Sequence, residues 1–228
     1  MRAIILAAGM GTRLRPLTND TPKSLISVCG EPMAERQIKF LKEKGIEDII
    51  VVTGYLKEKF EYLVDKYNVK LIHNDKYDIY NNIYSIYLVR EYLKDAYVAE
   101  ADVYMSKNFF DSTIKASTYF AGPRENFQGE WQVYFDEKLK LKAVEVGSGS
   151  GFIMSGISYW NERDGAFIKK KLEETIAKGN FEKTYWDSVV AQNLKQLDIQ
   201  VKCIGEKDWF EIDSIADLKA AEQYSELK

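Results

Sequence analysis

Apolar and polar positions along the first half of the chain follow two periods in turn. Short runs of apolar, often β-branched residues are typical of buried strands, and the longer stretches between them have apolar residues at helical spacing. The pattern predicts strands at residues 3–6, 48–53, 69–73 and 97–102, and helices at residues 32–44, 56–67 and 82–93. Because strands alternate with crossover helices, we expect a Rossmann-like α/β fold with a mixed, mostly parallel sheet flanked by helices.

The second half of the chain changes character. Short β-like runs fill residues 116–160, followed by helices at 162–178 and 183–194, a strand at 199–204 and a last helix from Ser214. The glycine–serine stretch at 147–151 predicts a hairpin turn or a mobile loop, and the sequence leaves open whether it closes over a substrate. We therefore expect a single domain over residues 1–228, whose second half carries a small extra β portion.

Charge and cysteine content narrow the function classes. The 228 residues carry 32 Lys and Arg against 35 Asp and Glu, so a net charge of −3 gives no case for nucleic-acid binding. The single histidine, His73, excludes sites with two histidine ligands, and two cysteines cannot form a disulfide framework. We expect Cys29 and Cys203 to be core residues. No apolar run approaches the ~20 residues of a membrane span. The pattern favours a cytoplasmic protein without a membrane or nucleic-acid partner.

A glycine-rich loop, LAAGMGTRLRPLT at residues 6–18, follows the first predicted strand. Glycines there let a backbone approach a phosphate closely, at the strand end where α/β sheets bind ligands. The loop is no dinucleotide fingerprint, since Leu14 stands in place of the third glycine, and it lacks the Gly-Lys-Ser/Thr of a P-loop. Arg13 and Lys23 suit a triphosphate held by amides and two cations. The alternative is a plain turn with both side chains solvated.

The same residues carry a family resemblance. The loop at residues 6–18, together with Pro22-Lys23 and Glu31-Pro32-Met33, resembles the signature of the nucleotidyltransferases that include the sugar-1-phosphate nucleotidylyltransferases. Within that group, the short length and the aromatic second half are most similar to the bacterial CTP:phosphocholine cytidylyltransferases. The resemblance implies transfer of CMP from CTP to phosphocholine, which gives CDP-choline and pyrophosphate.

The resemblance also implies roles for residues of a nucleotide-binding half, residues 1–115. Nucleotide contacts would come from Leu6, Ala7, Ala8, Gly9, Gly11, Thr12, Asn82 and Ser85. Arg13 and Lys23 would be the catalytic cations that neutralise the triphosphate and the leaving pyrophosphate. For Asn82 and Ser85, the alternative is capping of the helix that follows them.

Two carboxylates are implied as a metal site. Asp102 matches the family's metal-binding aspartate, although Ala101 stands where the family usually has glycine. The segment 209–214 resembles the C-terminal Trp-x-x-x-Asp element, so Asp213 would supply the second carboxylate. Two carboxylates with phosphate oxygens suit the cofactor Mg²⁺. The alternative for Asp213 is N-capping of the last helix.

The implied chemistry explains why one histidine suffices. A phosphomonoester acceptor is largely ionised near neutral pH, because its second pKa is about 6. It can attack the α-phosphorus in line without a strong general base. The protein's task is then to position the two substrates and to neutralise their charge.

The acceptor-binding half, residues 116–228, is predicted from its aromatic side chains, since all four tryptophans lie beyond residue 130. A trimethylammonium group is bound by aromatic faces and carboxylates, and each well-placed face contributes about 0.5–2 kcal/mol. We predict Tyr185 with Asp187 as an aromatic wall and its anion, Trp131 as a second wall, and Glu211 as a further acceptor residue. The alternatives are core packing for each aromatic side chain and a solvated helix position for Asp187.

Two other functions share part of these features. A sugar-1-phosphate nucleotidylyltransferase using UTP, dTTP or CTP would have the same first half, but its hexose site usually requires a larger second half. A non-catalytic nucleotide-binding regulator would not need both cations and both carboxylates. The sequence does not separate CTP from UTP or dTTP, and it leaves the oligomeric state open, a homo-oligomer included.

Overall fold

Seven strands form one mixed sheet in the computed structural model, which describes residues 1–226. The strands of the chain are β1 (Arg2–Ala7), β2 (Ser27–Val28), β3 (Glu31–Pro32), β4 (Asp48–Thr53), β5 (Lys70–His73), β6 (Ala96–Glu100), β7 (Val103–Met105), β8 (Ser117–Phe135), β9 (Leu141–Trp160), β10 (Ile199–Cys203) and β11 (Trp209–Glu211). The helices are α1 (Met33–Glu43), α2 (Tyr62–Tyr67), α3 (Asn82–Leu88), α4 (Glu162–Lys178), α5 (Trp186–Ala191) and α6 (Ile215–Glu226). Among residues 1–226, no helix is both long and apolar enough to cross a membrane.

The order of strands in the sheet is β10-β8-β9-β6-β1-β4-β5. β1 pairs in parallel with β4 and β6, β4 with β5, and β10 with β8, whereas β9 runs antiparallel to both of its neighbours. The predicted mixed, mostly parallel α/β sheet is confirmed. The carboxyl ends of β1 and β6 are adjacent in this sheet, and the candidate site forms there.

Helices cover both faces of the sheet. Alternate residues of β1 point to opposite sides, as strand geometry requires, so Ile5 and Ile4 enter different clusters. Ile5 lies with Ile38 of α1, whereas Ile4 lies with Ile86 of α3 and Leu172 of α4. All five side chains are fully buried. This two-sided burial explains why β1 and β4 read as continuous apolar runs.

Several predicted helices are shorter in the structure. The stretch at 56–67 is a 3₁₀ turn, Lys57–Phe60, followed by α2, because Leu56 adopts a left-handed conformation that a helix cannot include. The helix predicted at 82–93 ends at Leu88. The stretch at 183–194 shortens to α5, since Tyr185 is still extended.

The prediction of a turn or mobile loop at residues 147–151 is wrong. These residues lie inside β9 and pair with β8, and the ladder bends back on itself so that Gln132 pairs with both Glu145 and Ile153. Gly151 has a φ of 155°, which side chains rarely adopt, and glycine therefore permits the bend. The actual turn joins the strands at residues 136–140.

The cysteines are exposed, so their predicted place in the core is also wrong. Cys29 has a φ of 50° in the tight turn between β2 and β3. Cys203 is the last residue of β10, which lies at the edge of the sheet. Apolar neighbours in the sequence indicated burial, but the turn and the sheet edge decided the exposure.

Candidate active site

The glycine loop after β1 is packed against the side chain of Lys23. Gly11 has a φ of 59°, and a Cβ at this position would lie 2.7 Å from Lys23 Cβ. Thr18 Oγ1 donates a hydrogen bond to the Gly11 carbonyl at 2.8 Å, which fixes the loop. Only 12% of the Lys23 side chain is exposed, against 72% for Arg13. The solvated-turn alternative is therefore wrong for Lys23.

A short antiparallel ladder brings the C-terminal carboxylates to the end of β6. β7 pairs with β11 so that Val103 lies opposite Glu211. The Ile212 N–H then donates to the Asp102 carbonyl at 3.0 Å. Asp102 lies in the turn just after β6, not in the strand, and this ladder places Asp213 beside it.

Lys23 and Arg13 bind these carboxylates directly. Lys23 Nζ lies 2.6 Å from Asp102 Oδ2 and 2.6 Å from Asp213 Oδ1, and Arg13 Nη2 lies 2.7 Å from Asp213 Oδ2. Burial by itself lowers the pKa of Lys23, but the two carboxylates outweigh it and raise that pKa well above its usual value. Lys23 is therefore a firmly protonated ammonium, and the four residues form one cluster.

Glu211 adds a third carboxylate to this cluster. Oxygen atoms of Asp102, Glu211 and Asp213 all lie within 4.8 Å of one another. The Glu211 side chain is open to solvent, but it lines a cleft, and desolvation there together with the charges of Asp102 and Asp213 raises its pKa to about 8. Clustered carboxylate oxygens are the ligands that Mg²⁺ prefers in proteins. These residues therefore fit a divalent cation.

Asp213 does not cap the last helix. Asp217 Oδ2 accepts from the Ser214 N–H at 2.7 Å, and the Asp217 N–H donates to Ser214 Oγ at 3.3 Å. This reciprocal pair is a capping box, in which Ser214 is the cap residue. The capping alternative for Asp213 is therefore wrong, and its carboxylate faces the cluster with Lys23.

A cavity of about 200 Å³ opens at the carboxyl ends of β1 and β6. Its lining includes the predicted residues Leu6, Ala7, Ala8, Gly9, Asn82 and Ser85, with Lys23 and Asp102. Gly11 and Thr12 are outside this lining. Sequence reasoning missed Ser24, Asn74, Tyr77, Tyr80, Asn81, Glu100 and Ala101. Residues 74–81 have no recognised motif, but they follow β5, and a position at the carboxyl end of a parallel strand was the available signal.

Neither Asn82 nor Ser85 caps α3, because both lie within the helix. Asn82 Nδ2 donates to Glu100 Oε1 at 2.9 Å, and Asn82 Oδ1 accepts from the Trp186 N–H at 3.0 Å. Ser85 Oγ accepts from Asn74 Nδ2 at 2.9 Å. The capping alternatives are therefore wrong, and both side chains make tertiary hydrogen bonds beside the cavity.

Trp131 and Tyr185 form an aromatic pair in the second half of the chain. Their ring centroids lie 6.1 Å apart with an interplanar angle of 76°. Tyr185 is 47% exposed, so its ring is accessible to a ligand. The other three tryptophans are fully buried core residues: Trp160, Trp186 and Trp209. Core packing is thus the correct interpretation for those three.

Asp187 lies at the start of α5 and is not a solvated helix residue. Tyr119 Oη donates to Asp187 Oδ1 at 2.9 Å, and burial raises the pKa of Asp187 to about 7. Burial and the charges of Asp102 and Asp187 also raise the pKa of Glu100 well above its usual value. Glu100 therefore lies within electrostatic range of both Asp102 and Asp187.

The sequence of the first half of the chain matches a known family. The model of the nucleotidyl transferases matches residues 2–121, which is more than half of the chain. The chain belongs to the nucleotidyl transferase family. The match includes the glycine loop, Lys23 and Asp102, and it ends within β8.

Similarity extends over the whole of this nucleotidyl transferase. A choline-phosphate cytidylyltransferase of Streptococcus pneumoniae is 47% identical over 98% of the chain and 97% of that protein. A 2-aminoethylphosphonate cytidylyltransferase of Lancefieldella rimae is 36% identical over 96% of the chain and 90% of that protein. The solved CTP:phosphocholine cytidylyltransferase from Streptococcus pneumoniae (LicC) has a TM-score of 0.96 at 46% identity, covering 100% of this chain and 99% of that one. The predicted fold and enzyme class are confirmed.

Replacing Asp187 with asparagine is expected to stabilise this nucleotidyl transferase at pH 8, without ligands, by about 1–3 kcal/mol. The Asp187 pKa is about 7 in the folded protein against an ordinary value of 3.8. Between these pH values the folded state holds a proton that the unfolded chain has released, so wild-type stability falls as the pH rises. Asparagine avoids this loss and still accepts from Tyr119. Thermal unfolding should show a difference at pH 8 that vanishes near pH 4.

The matched control for that measurement is Asp198→Asn. Lys140 lowers the pKa of Asp198, so its carboxylate stabilises the fold at pH 8. Its replacement should therefore change the stability in the opposite direction. Equal stability of wild type and Asp187→Asn at both pH values would contradict a raised Asp187 pKa.

Proposed function

We propose that this nucleotidyl transferase moves CMP from CTP to phosphocholine, with Mg²⁺ as cofactor, and releases CDP-choline and pyrophosphate. The observation that carries the proposal is the aromatic pair Trp131–Tyr185 with Asp187, whose charge reaches Glu100 together with that of Asp102 from the Lys23 cluster. Residues 1–115 would hold the nucleotide and residues 116–228 the acceptor. Both substrates are small metabolites, so the proposal needs no nucleic acid or membrane partner, and we place the reaction in the cytoplasm.

The first strand and its loop support a nucleotide site. Gly9 lines the cavity, and a Cβ at this position would meet no protein atom within 4 Å. Protein packing therefore does not require glycine here, whereas a base, ribose or phosphate lying against the backbone would. Leu6, Ala7 and Ala8 line the same cavity, and Gly11 lies against the stem of Lys23.

Asp102 and Asp213 are the proposed metal ligands, and Glu211 lies close enough to join them. When bound, Mg²⁺ would neutralise charge between the acceptor phosphate and the α-phosphate and so favour their approach. The residues themselves hold this geometry rigidly, because Asp102 and Asp213 belong to segments joined by the β7–β11 ladder.

Lys23 and Arg13 are the proposed catalytic cations. Both are now paired with carboxylates, and a triphosphate would offer them further anionic partners at the same place. Lys23 is held by packing and would stabilise charge that builds on the leaving pyrophosphate. Arg13 is largely exposed on its loop, so it can turn towards a phosphate at little cost.

The acceptor site favours a quaternary ammonium over a sugar. A hexose is recognised through many hydrogen bonds, whereas Trp131 and Tyr185 supply an edge-to-face pair of aromatic rings, with Tyr185 about half exposed. Asp187 has no lysine or arginine among the groups that shift its pKa, and Glu211 feels three carboxylates against Lys23. A cationic headgroup would favour the ionised form of both carboxyls.

The proposal is tested by pyrophosphate release with CTP, UTP and dTTP against phosphocholine, 2-aminoethylphosphonate and glucose-1-phosphate, with and without Mg²⁺. We expect turnover with CTP and phosphocholine that requires the metal. Preferred turnover of glucose-1-phosphate would refute the choline acceptor. A protein that binds CTP without turning over any acceptor would instead be the nucleotide-binding regulator.

Tyr185→Ala is expected to raise the KM for phosphocholine about 2- to 30-fold, the equivalent of one cation–π face of about 0.5–2 kcal/mol. The KM for CTP should stay within about twofold of wild type. Steady-state kinetics with each substrate varied in turn measures both values. Tyr134→Ala is the matched control, because Tyr134 is an equally exposed tyrosine on β8. Equal increases in both KM values would remove Tyr185 from the acceptor site.

A further inference from the structure

Asn82 joins three elements of the site through its two polar atoms. It is the first residue of α3, its Nδ2 donates to Glu100 Oε1 at the end of β6, and its Oδ1 accepts from the N–H of Trp186, the first residue of α5. We propose that Asn82 is a positioning residue that aligns the acceptor site with the nucleotide cavity. The inference rests on the proposed function, because it assigns the acceptor site to the start of α5.

The N-terminus of α5 depends on a cap from outside the helix. The first N–H groups of any helix lack partners within it, and a side chain at the N-cap usually provides one. The N-cap residue of α5 is Tyr185, which makes no side-chain capping hydrogen bond. Asn82 Oδ1 bonds the next N–H, that of Trp186, and so takes the place of the missing cap.

Fixing the Trp186 N–H also fixes the residues on either side of it. Tyr185 precedes Trp186 and carries the exposed ring that faces Trp131, whereas Asp187 follows it. Trp186 itself is anchored in the core against Trp160, at a centroid distance of 5.8 Å. The backbone at Trp186 therefore has a core anchor and a hydrogen bond to Asn82, and it sets where the side chains of Tyr185 and Asp187 start, while Tyr119 holds the Asp187 carboxyl itself.

The other end of the bridge is equally constrained. Glu100 is the last residue of β6, and a Cβ on Gly156 of β9 would lie 3.1 Å from Glu100 Cβ, so β9 holds the glutamate stem closely. Among residues 1–226, no lysine or arginine is paired with Glu100, and Asn82 donates its side-chain hydrogen bond. Asn82 thus connects the strand end beside Asp102 to the helix that carries Asp187.

Asn82→Ala removes both hydrogen bonds, and its effect should fall on the acceptor. We expect the KM for phosphocholine to rise at least tenfold and the KM for CTP to change less than threefold. Hydrogen exchange should show loss of protection at the Trp186 amide in the ligand-free protein. A rise in the KM for CTP with an unchanged acceptor KM would instead make Asn82 a nucleotide contact and overturn the proposal.

Asn82→Asp separates the two hydrogen bonds. The carboxylate still accepts from the Trp186 N–H, so protection of that amide should remain, but it has no N–H to donate to Glu100. We expect an acceptor KM clearly above that of wild type. Adding Glu100→Gln reverses the donor and acceptor of the bridge, and the double variant should return to within about threefold of wild type. A double variant no better than Asn82→Asp would overturn the bridge.

Asn193→Ala is the matched control, because Asn193 Nδ2 donates to the Val189 carbonyl at the other end of α5. It should leave both KM values unchanged, and an acceptor effect equal to that of Asn82→Ala would overturn a specific role for the helix start. Failure of the proposed function would appear separately, as absence of wild-type turnover with phosphocholine. In that case exchange at the Trp186 amide decides the inference: unchanged protection in Asn82→Ala would overturn it, and lost protection would support it.

Discussion

Asp102→Ala is expected to lower kcat for nucleotidyl transfer about a thousandfold, a loss of roughly 4 kcal/mol in transition-state stabilisation. Asp102 is one of two carboxylates that hold Lys23, and it is a proposed metal ligand. Its loss removes one donor from that site and releases one contact of the Lys23 ammonium. Positioning and charge neutralisation both decline, and these are the two effects on which a reaction without a strong base depends.

Two measurements separate this effect from a folding defect. Calorimetric titration with Mn²⁺ as a probe should show weaker metal binding by Asp102→Ala, and thermal unfolding should show a folded protein. Asp198→Ala is the control, since Asp198 is an exposed carboxylate paired with Lys140. Near wild-type turnover by Asp102→Ala would refute the assignment of Asp102 to the metal site.

Lys23→Ala is expected to lower kcat about 10²- to 10³-fold, because it removes a preorganised cation at the position where pyrophosphate charge develops. Mn²⁺ affinity should be equal to or higher than in wild type. In the wild type, Lys23 Nζ lies 2.6 Å from oxygens of both Asp102 and Asp213 and competes with a metal ion for them. Opposite changes in turnover and metal affinity distinguish a catalytic cation from a residue that only holds the site together.

The control for Lys23 is Lys39→Ala, which removes a lysine of α1 that is paired with Glu31 of β3. Its turnover should match wild type. Parallel losses of metal affinity and of turnover in Lys23→Ala would show that the lysine serves only to shape the carboxylate cluster, and would remove it from the chemistry.

The tryptophans show that a bias in composition does not by itself locate accessible rings. Their concentration in the second half indicated an aromatic acceptor site, yet three of the four are core residues. Trp160 packs at right angles to both Tyr119 and Trp186, a usual arrangement for buried rings. Only Trp131 stays partly accessible, and its partner Tyr185 had been indicated by the neighbouring Asp187. Composition shows which residue types are present, but burial decides which rings can meet a ligand.

The C-terminal carboxylates illustrate a second difference. The Trp-x-x-x-Asp resemblance singled out Asp213, but it also left helix capping as an alternative. Local geometry decided against the cap, because Ser214 and Asp217 already satisfy the helix start. The Asn82 bridge was out of reach from sequence, since it joins residues of α3 and α5 that no local pattern connects.

Local patterns alone determined the alternating strands and helices, the glycine loop and the identity of its cations, because each depends on neighbours within a few turns of chain. Tertiary structure decided what those groups face. The β7–β11 ladder placed Asp213 and Glu211 beside Asp102, the bend of β8–β9 occurred where glycines had suggested a loop, and α5 was capped by Asn82. These contacts join residues far apart in the chain, and their energies appear only once the sheet has brought the residues together.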